Sequence, residues 1–458
     1  MKGFRDDSRA AGVSGYSGPN GKAAARFRDQ LPPIWEKHGI HAIGFWTTII
    51  GESSNQLTYI FQWESLTDLE TRWTAFLNDP AWHKVRDEGE RDGPIVASIS
   101  NQILTPTAFS AINRPALPCF LKACVHDRSS VMTRATSPFH AGEQTIQSLA
   151  GVRDRMKLRG RAAIRDYMPE QHRKFFAALP FMAVGLADQN GHPWATTLSG
   201  PPGFVNSADE NLLTIKAWLD PGDPLHSCIR DGAPIGGLGI EFSTRRRNRI
   251  NGRIEDCIIG EGFSIGVQQS FGNCPKYIQA RNEQPRLRPK PAPKSRMASH
   301  LGDSEVSFIA EADTFFIASR SAQLDQEESS QGLDVSHRGG LPGFVRVVSR
   351  TELCFPDFRG NLLFNTLGNL EADARAGLLF IDFRSGGMLH VIGRTRICWD
   401  VPEPVLSAGI ERLIFLDIQC VVNRDHAFPH VFDFVSYSPH LGRRARIPKF
   451  PDKKFANA

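Results

Sequence analysis

Apolar and polar positions change rhythm several times along this chain. Residues 23–38 place Phe27, Leu31, Ile34 and Trp35 at helical spacing. His41–Ile50 and Leu57–Trp63 are β-rich runs joined by Gly51-Glu52-Ser53-Ser54-Asn55, which predicts a hairpin. Ser65 and Asp68 then open a helix that carries Leu69, Trp73, Phe76 and Leu77 on one face, and Asn78-Asp79-Pro80 ends it. A short helix through Trp82 and Val85 leads to a last strand, Ile95–Leu104. Residues 106–140 contain Pro106, Pro115, Pro118 and Pro138 and no consistent period, the pattern of a linker. From about 143 the rhythm is that of strands. Phe181–Ala187, the Asn190-Gly191 turn and Trp194–Leu198 form one hairpin pattern, followed by Leu212–Trp218, Ile235–Ser243, Arg249–Ile259 and Phe263–Ser270. A second series runs Glu305–Ser319, Gly343–Val348, Leu362–Asn365, Gly377–Arg384, Met388–Trp399 and Leu413–Val422.

The two series echo each other. Pro202-Gly203-Phe204-Val205 returns as Pro342-Gly343-Phe344-Val345, 140 positions on, and Phe175-Phe176 returns as Phe315-Phe316 at the same offset. Gly239-Ile240-Glu241-Phe242 answers to Gly377-Leu378-Leu379-Phe380, and Gly252-Arg253 to Gly393-Arg394. Landmarks that stay near one offset predict a duplicated domain, with a ligand held between the two halves. Many short strands at close spacing predict a small closed or split barrel, twice. The expected class is α+β. Residues 23–105 form a ferredoxin-like domain that lacks its first strand, because only a Gly/Ser-rich polar tail precedes it. Then come a linker (106–142), a first barrel half (143–284), a Pro- and Lys-rich spacer (285–303), a second barrel half (304–425) and a C-terminal tail (426–458).

Composition narrows the function. The 458 residues suffice for about three domains of ordinary size. Forty-one per cent hydrophobic and 22% charged residues fit globular cores, and a net charge of +5 over this length argues for neither nucleic acid nor a membrane surface. No run of about 18 apolar residues predicts a transmembrane helix. The N-terminal segment lacks the apolar stretch of a secretory signal, and Asp6 and Asp7 do not suit a transit peptide. Eight scattered cysteines without a C-x-x-C pair speak for reduced thiols in an intracellular compartment, cytoplasmic or mitochondrial, and against a metal site. The nucleotide-binding P-loop, the serine-hydrolase elbow and the zinc-protease motif are all missing from the sequence.

Several polar clusters stand out. Ser336-His337-Arg338-Gly339-Gly340 offers hydroxyl, imidazole, guanidinium and close-approach glycines in five residues, which suits a phosphate; it also reads as a solvated Gly-Gly turn. Arg346 sits on the strand that follows. Asn365, Thr366 and Asn369 fall where a strand end meets a turn, and either bond a ligand or cap the turn. Lys276 is a cation for phosphate or substrate, Cys274 is a redox thiol or an inert one, and Tyr277 and Phe271 flank a ring or pack in a core. Arg245-Arg246-Arg247-Asn248-Arg249, the densest basic run, reads first as a solvated hairpin loop and next as a docking patch for an anion, with nothing beside it to suggest nucleic acid. His337 is the one candidate acid or base, since an ordinary imidazole titrates near neutrality.

The blocks Ser270–Gln279, Ser336–Gly340 and Phe364–Leu370 together resemble the pyridoxamine 5′-phosphate oxidase-like family of flavin-binding split barrels, over about 143–425. Residues 23–105 resemble the NIPSNAP family, a dimeric ferredoxin-like α+β barrel, at Trp35–Phe45, Phe61-Gln62-Trp63-Glu64-Ser65 and Asp79-Pro80-Ala81-Trp82. The first resemblance implies FMN wedged between barrel halves and an oxidoreductase that exchanges hydride at flavin N5 with a small substrate or a nicotinamide donor. It implies a cofactor site of His337, Arg338, Gly339, Arg346, Asn365, Thr366, Asn369 and Lys276. The second implies a homodimer through the N-terminal domain. Two alternatives accompany this reading: a flavin-nucleotide carrier or sensor without turnover, and a NIPSNAP-type interaction protein with degenerate barrels.

Overall fold

The computed structural model describes residues 7–15, 26–47, 56–63, 66–89, 96–104, 137–285, 292–324, 328–401 and 409–441. The expected hairpin loop at 51–55, most of the linker, the middle of the spacer and the end of the tail lie outside these residues. The chain divides into two units, Met1–Met132 and Thr133–Ala458.

The first unit is one antiparallel sheet with helices. Its strands are β1 (Asp7–Gly15), β2 (His41–Thr47), β3 (Gln56–Trp63) and β4 (Val96–Leu104), in the order β2-β3-β1-β4. With α1 (Leu31–Lys37) between β1 and β2, and α2 (Leu66–Leu77) and α3 (Pro80–Gly89) between β3 and β4, this is a complete ferredoxin-like βαββαβ unit. The missing first strand is therefore a correction: β1 pairs with β3 from Asp7 opposite Trp63, and with β4 from Ser8 opposite Leu104. Six of its nine residues are Ser, Ala or Gly, so its sequence carries almost no alternation to read. The core joins both faces that the periodicity had marked: Phe27, Leu31, Ile34 and Trp35 meet Tyr59, Phe61, Leu69 and Phe76. Trp35 sets its ring edge-on to Phe61 at 4.9 Å.

In the second unit two sheets share one strand order. The first takes β5 (Phe181–Ala187), β6 (Pro193–Ser199), β7 (Val205–Asn206), β8 (Leu212–Ile215), β9 (Pro234–Glu241), β10 (Arg246–Ile258) and β11 (Gly262–Gly272) in the order β6-β5-β9-β10-β11-β8-β7. Next in the chain come β12 (Ala280–Gln284) and β13 (Lys294–Ala298). The second sheet takes β14 (Thr314–Arg320), β15 (Leu333–Gly339), β16 (Arg346–Ser349), β17 (Glu352–Phe358), β18 (Arg375–Ile381), β19 (Met388–Cys398) and β20 (Ile410–Asp425) in the order β15-β14-β18-β19-β20-β17-β16, with β13 paired to β20.

The register shows which echoes are structural. The two Pro-Gly-Phe-Val segments form the same turn: Gly203 and Gly343 have φ of 85° and 84°, and Phe204 N and Phe344 N donate to the carbonyls of Pro201 and Leu341 at 2.9 Å. Gly252 and Gly393 sit at matching bulges, where a Cβ would strike the carbonyl oxygens of Gly266 and Asp417. The Phe-Phe echo is a coincidence. Phe175-Phe176 belong to a helix (Glu170–Ala177), Phe315-Phe316 to β14, and the register makes Phe308-Ile309 the counterpart, on the helix Asp303–Glu311. Likewise Gly236, three residues before the matched Gly239, is the partner of Gly377: these two pair with Gly185 and Ala318 on the corresponding strands.

Those two glycines also show how the halves meet. Gly236 lies against the backbone of Leu333 and Asp334 on β15, and Gly377 against that of Pro193 and Trp194 on β6. The contact is reciprocal, as across a two-fold axis. Phe181, Phe242, Phe316, Val335, Phe383, Phe428 and Phe432 fill the space between the sheets.

Four further expectations change. Residues 305–311 are helical, and strand β14 begins only at Thr314. Leu362–Asn365 is not a strand: Leu362 and Phe364 have φ of 67° and 63°, and a helix runs Asn365–Ala372. The spacer contributes β13. The C-terminal tail folds back, with β21 (Val431–Ser436) paired to β12.

Candidate functional site

The elements converge on one cleft between the two sheets of the second unit. Its floor is Arg247 and Arg249 of β10 and Ser336–Gly339 of β15. Its walls are the end of β17 (Pro356, Asp357, Phe358), the loop and helix start at Gly360–Leu367, and Asn273, Lys276 and Tyr277. The space measures about 860 Å³, open solvent at the mouth included.

Local geometry explains these positions. A Cβ on Gly339 would strike the Tyr277 carbonyl, so glycine lets the 273–277 loop close on β15. Tyr277 itself has φ 67°, stacks on Phe358 at 5.1 Å, and donates its hydroxyl to the Arg359 carbonyl at 3.0 Å. Burial pushes that phenol up to about 12. The folded-back tail fixes the loop from behind: Tyr277 N donates to Ser438 Oγ (3.1 Å), and Ser438 N to Gln279 Oε1 (2.8 Å).

Positive charge dominates the floor. Arg249 pairs with Asp334 at 2.8 Å and also contacts Ser336 Oγ. Arg338 pairs with Asp357 at 2.7 Å, and Arg412 holds the other Asp357 oxygen at 3.0 Å. Arg247 forms no ion pair among the described residues. Its Nη1 makes only 3.4 Å contacts to Nδ1 and the carbonyl of His337. Burial, with Arg249 and Arg338 nearby, lowers its guanidinium to about 10. His337 is held well below its ordinary value, first by burial and then by Arg247, Arg281 and Arg338. A guanidinium can only donate, so His337 Nδ1 accepts and Nε2 carries the hydrogen. That Nε2–H is buried without a partner, as are Nε of Arg247, Arg249 and Arg338 and Nδ2 of Asn273.

The cleft brings together His337, Arg338, Gly339, Asn365, Thr366 and Lys276. Arg346 is elsewhere, on β16 opposite Cys354. Asn369 is behind the wall, where its Nδ2 donates to Ser319 Oγ (3.0 Å) and its Oδ1 meets His140 Nε2 (2.8 Å). Asn365 and Thr366 are already engaged, with Glu143 (2.6 Å) and Ser336 Oγ (2.9 Å). The basic run is not a solvated loop beyond Arg245, since Arg247 and Arg249 are strand residues turned inward. Their i, i+2 spacing ahead of Ile250, Gly252 and Ile254 is a strand alternation with charge on one face, and that was the missed signal.

Behind Asn365, Glu143 and His140 cap the helix Ala141–Leu149. Burial raises the Glu143 carboxyl to about 8, partly opposed by the N–H groups of His140 and Asn365. A folded value above the unfolded one favours the protonated fold, so this contribution is complete below about pH 4.5 and lost as pH rises through 8. The melting temperature is expected to fall between pH 5 and 8.5, and Glu143→Gln to flatten that fall.

No helix among the described residues is long and apolar enough to cross a membrane. No curated protein matches the sequence. Among solved structures, a NIPSNAP-like domain protein from Burkholderia xenovorans is 26% identical, covering 25% of this chain and 92% of its own, with a TM-score of 0.21. A NIPSNAP family protein from Agrobacterium tumefaciens is 22% identical (23% and 98% covered, TM-score 0.21). A candidate pyridoxamine 5′-phosphate oxidase from Lactobacillus delbrueckii is 14% identical (27% and 94%, TM-score 0.21). The NIPSNAP family model matches residues 17–111, so the N-terminal unit carries a NIPSNAP domain.

Proposed function

We propose that the two sheets of the second unit are tandem split barrels that hold FMN in the cleft, and that the protein is a flavin-dependent oxidoreductase. One observation carries this reading: Arg247, Arg249, Arg338 and His337 all line the cleft, and each has a buried N–H group without a partner among the described residues. Leaving such groups unsatisfied is costly, and an anionic group with several acceptor oxygens satisfies them.

The residues fit the cofactor. Arg247, which forms no ion pair among the described residues, and Arg338 suit the phosphate, with Lys276 at the same wall. The stacked Tyr277–Phe358 pair offers an aromatic wall to a planar ring system, and neutral His337 offers one N–H donor. Thr366 and Asn365 hold the wall's shape through Ser336 and Glu143. Bound there, FMN would supply hydride exchange with a small substrate or a nicotinamide donor.

The environment of His337 favours a second reading. An imidazole kept neutral is a poor proton source near pH 7, which leaves a flavin carrier without turnover as the runner-up. A visible spectrum of the purified chain with FMN, then with NADPH under anaerobic conditions, separates them. The expected result is retained flavin that bleaches. Flavin that is retained but stays oxidised supports the carrier, and a chain that retains none removes the flavin reading.

A further inference from the structure

Two halves related by a reciprocal contact should present two equivalent clefts, and the strand register shows where the second lies. On β11 and β20 the matching bulges place Gly252 opposite Val267 and Gly393 opposite Ile418. Asn273 is six residues past Val267, and Arg424 is six past Ile418. Val184 pairs with Thr196 as Ile317 pairs with Ser336, which makes Thr196 the counterpart of Ser336. After β8 and β17, Asp223 and Asn361 occupy the same kind of turn: each side-chain Oδ1 accepts the backbone N–H two residues on, from Leu225 (3.0 Å) and Leu363 (3.1 Å).

These counterparts do opposite things. In the cleft, Asn361 Nδ2 donates to Asn273 Oδ1 at 3.0 Å, and Asn273 Nδ2 is buried and unpartnered beside the open space. On the other side, Arg424 pairs with Asp223 at 2.6 Å and also with Asp220. Thr196 Oγ1 donates to the same Asp223 oxygen at 2.6 Å. Arg424 is 1% exposed, among the largest fully buried side chains of the protein. The counterpart of Arg249 is His390, three residues before Gly393, and its Nδ1 is taken up by the Ala195 carbonyl at 3.0 Å.

We infer that the chain binds a single FMN, that Asn273 and Asn361 are ligand-contacting residues of the open cleft, and that the Arg424–Asp223 pair closes its twin. This rests on the flavin reading. Two short amides leave room and present a free donor, whereas Arg424 is bound to Asp223 and Asp220 through its Nη atoms, with its Nε left unpartnered among the described residues.

The test is a calorimetric titration of the full chain with FMN, checked by counting flavin retained after gel filtration. One FMN per chain is expected. Two per chain would overturn this inference while leaving the flavin reading intact, and none would overturn both. Transplanting the lock, as Asn273→Arg with Asn361→Asp, is expected to abolish saturable FMN binding with the circular dichroism spectrum unchanged. Should that double variant fold and still bind, the assignment is wrong. Asn273→Ala adds no bulk and keeps the idea testable if the double variant fails to fold. Its FMN affinity should drop about tenfold, the worth of one good hydrogen bond to a ligand, with the count still one. Unchanged affinity would refute the contact.

Discussion

Replacing Arg247 by methionine is expected to weaken FMN binding by about 10–100-fold while leaving thermal stability unchanged or raised. The two effects have opposite signs because they come from different states of one side chain. In the free protein the Arg247 guanidinium is largely buried and forms no ion pair among the described residues, so removing it relieves a desolvation cost. In the complex it would face the phosphate, and a hydrogen bond to a charged group contributes about 1.5–3 kcal/mol. Affinity by titration and the melting temperature of the ligand-free chain read the two sides separately. A variant that melts markedly lower, yet binds FMN as the parent does, would make Arg247 a structural residue and remove it from the site.

The second large effect is on stability alone. Asp223→Asn should destabilise the second unit by up to about 3–5 kcal/mol, because it leaves the buried guanidinium of Arg424 with only the partly exposed Asp220 as counter-charge. For a unit of this size that is on the order of 5–10 °C in melting temperature. Removing both charges, with Arg424→Met added, should recover much of the loss. Two apolar or neutral groups of similar volume are often tolerated where one unpaired ion is not. A double-mutant cycle from urea unfolding measures the coupling, and additive losses would show that the pair does not act as a unit.

What could be read from sequence followed the strength of each local signal. The helices at Leu31–Lys37 and Leu66–Leu77 announce themselves through Trp35, Leu69 and Phe76, large residues at one spacing that must share a core. The Asn190-Gly191 turn and the paired Pro-Gly-Phe-Val turns are legible because glycine is needed there for φ, whatever the tertiary context. The first strand was not, since a run of Ser, Ala and Gly relies on neighbours for its pairing. The helix Asn365–Ala372 was hidden because Leu362-Leu363-Phe364 looks like a strand, while two left-handed residues actually turn the chain. In the cleft, the Ser336–Gly339 cluster stood out by its chemistry. Arg247 and Arg249 stood out only as part of a basic run that reads first as a solvated loop, and Asn361 not at all, because burial and partners come from strands far away in the chain. Arg346 and Asn369 have the right residue types, but β16 and the buried face of a helix carry them elsewhere.

The covalent joining of the two halves has an evolutionary consequence. In a dimer of identical subunits every substitution appears at both symmetry-related places, so one pocket cannot be sealed while the other stays open. Within a single polypeptide the positions of Asn273 and Arg424 descend independently. One side is therefore free to become a permanent fastening, and the other keeps the freedom to change what it holds.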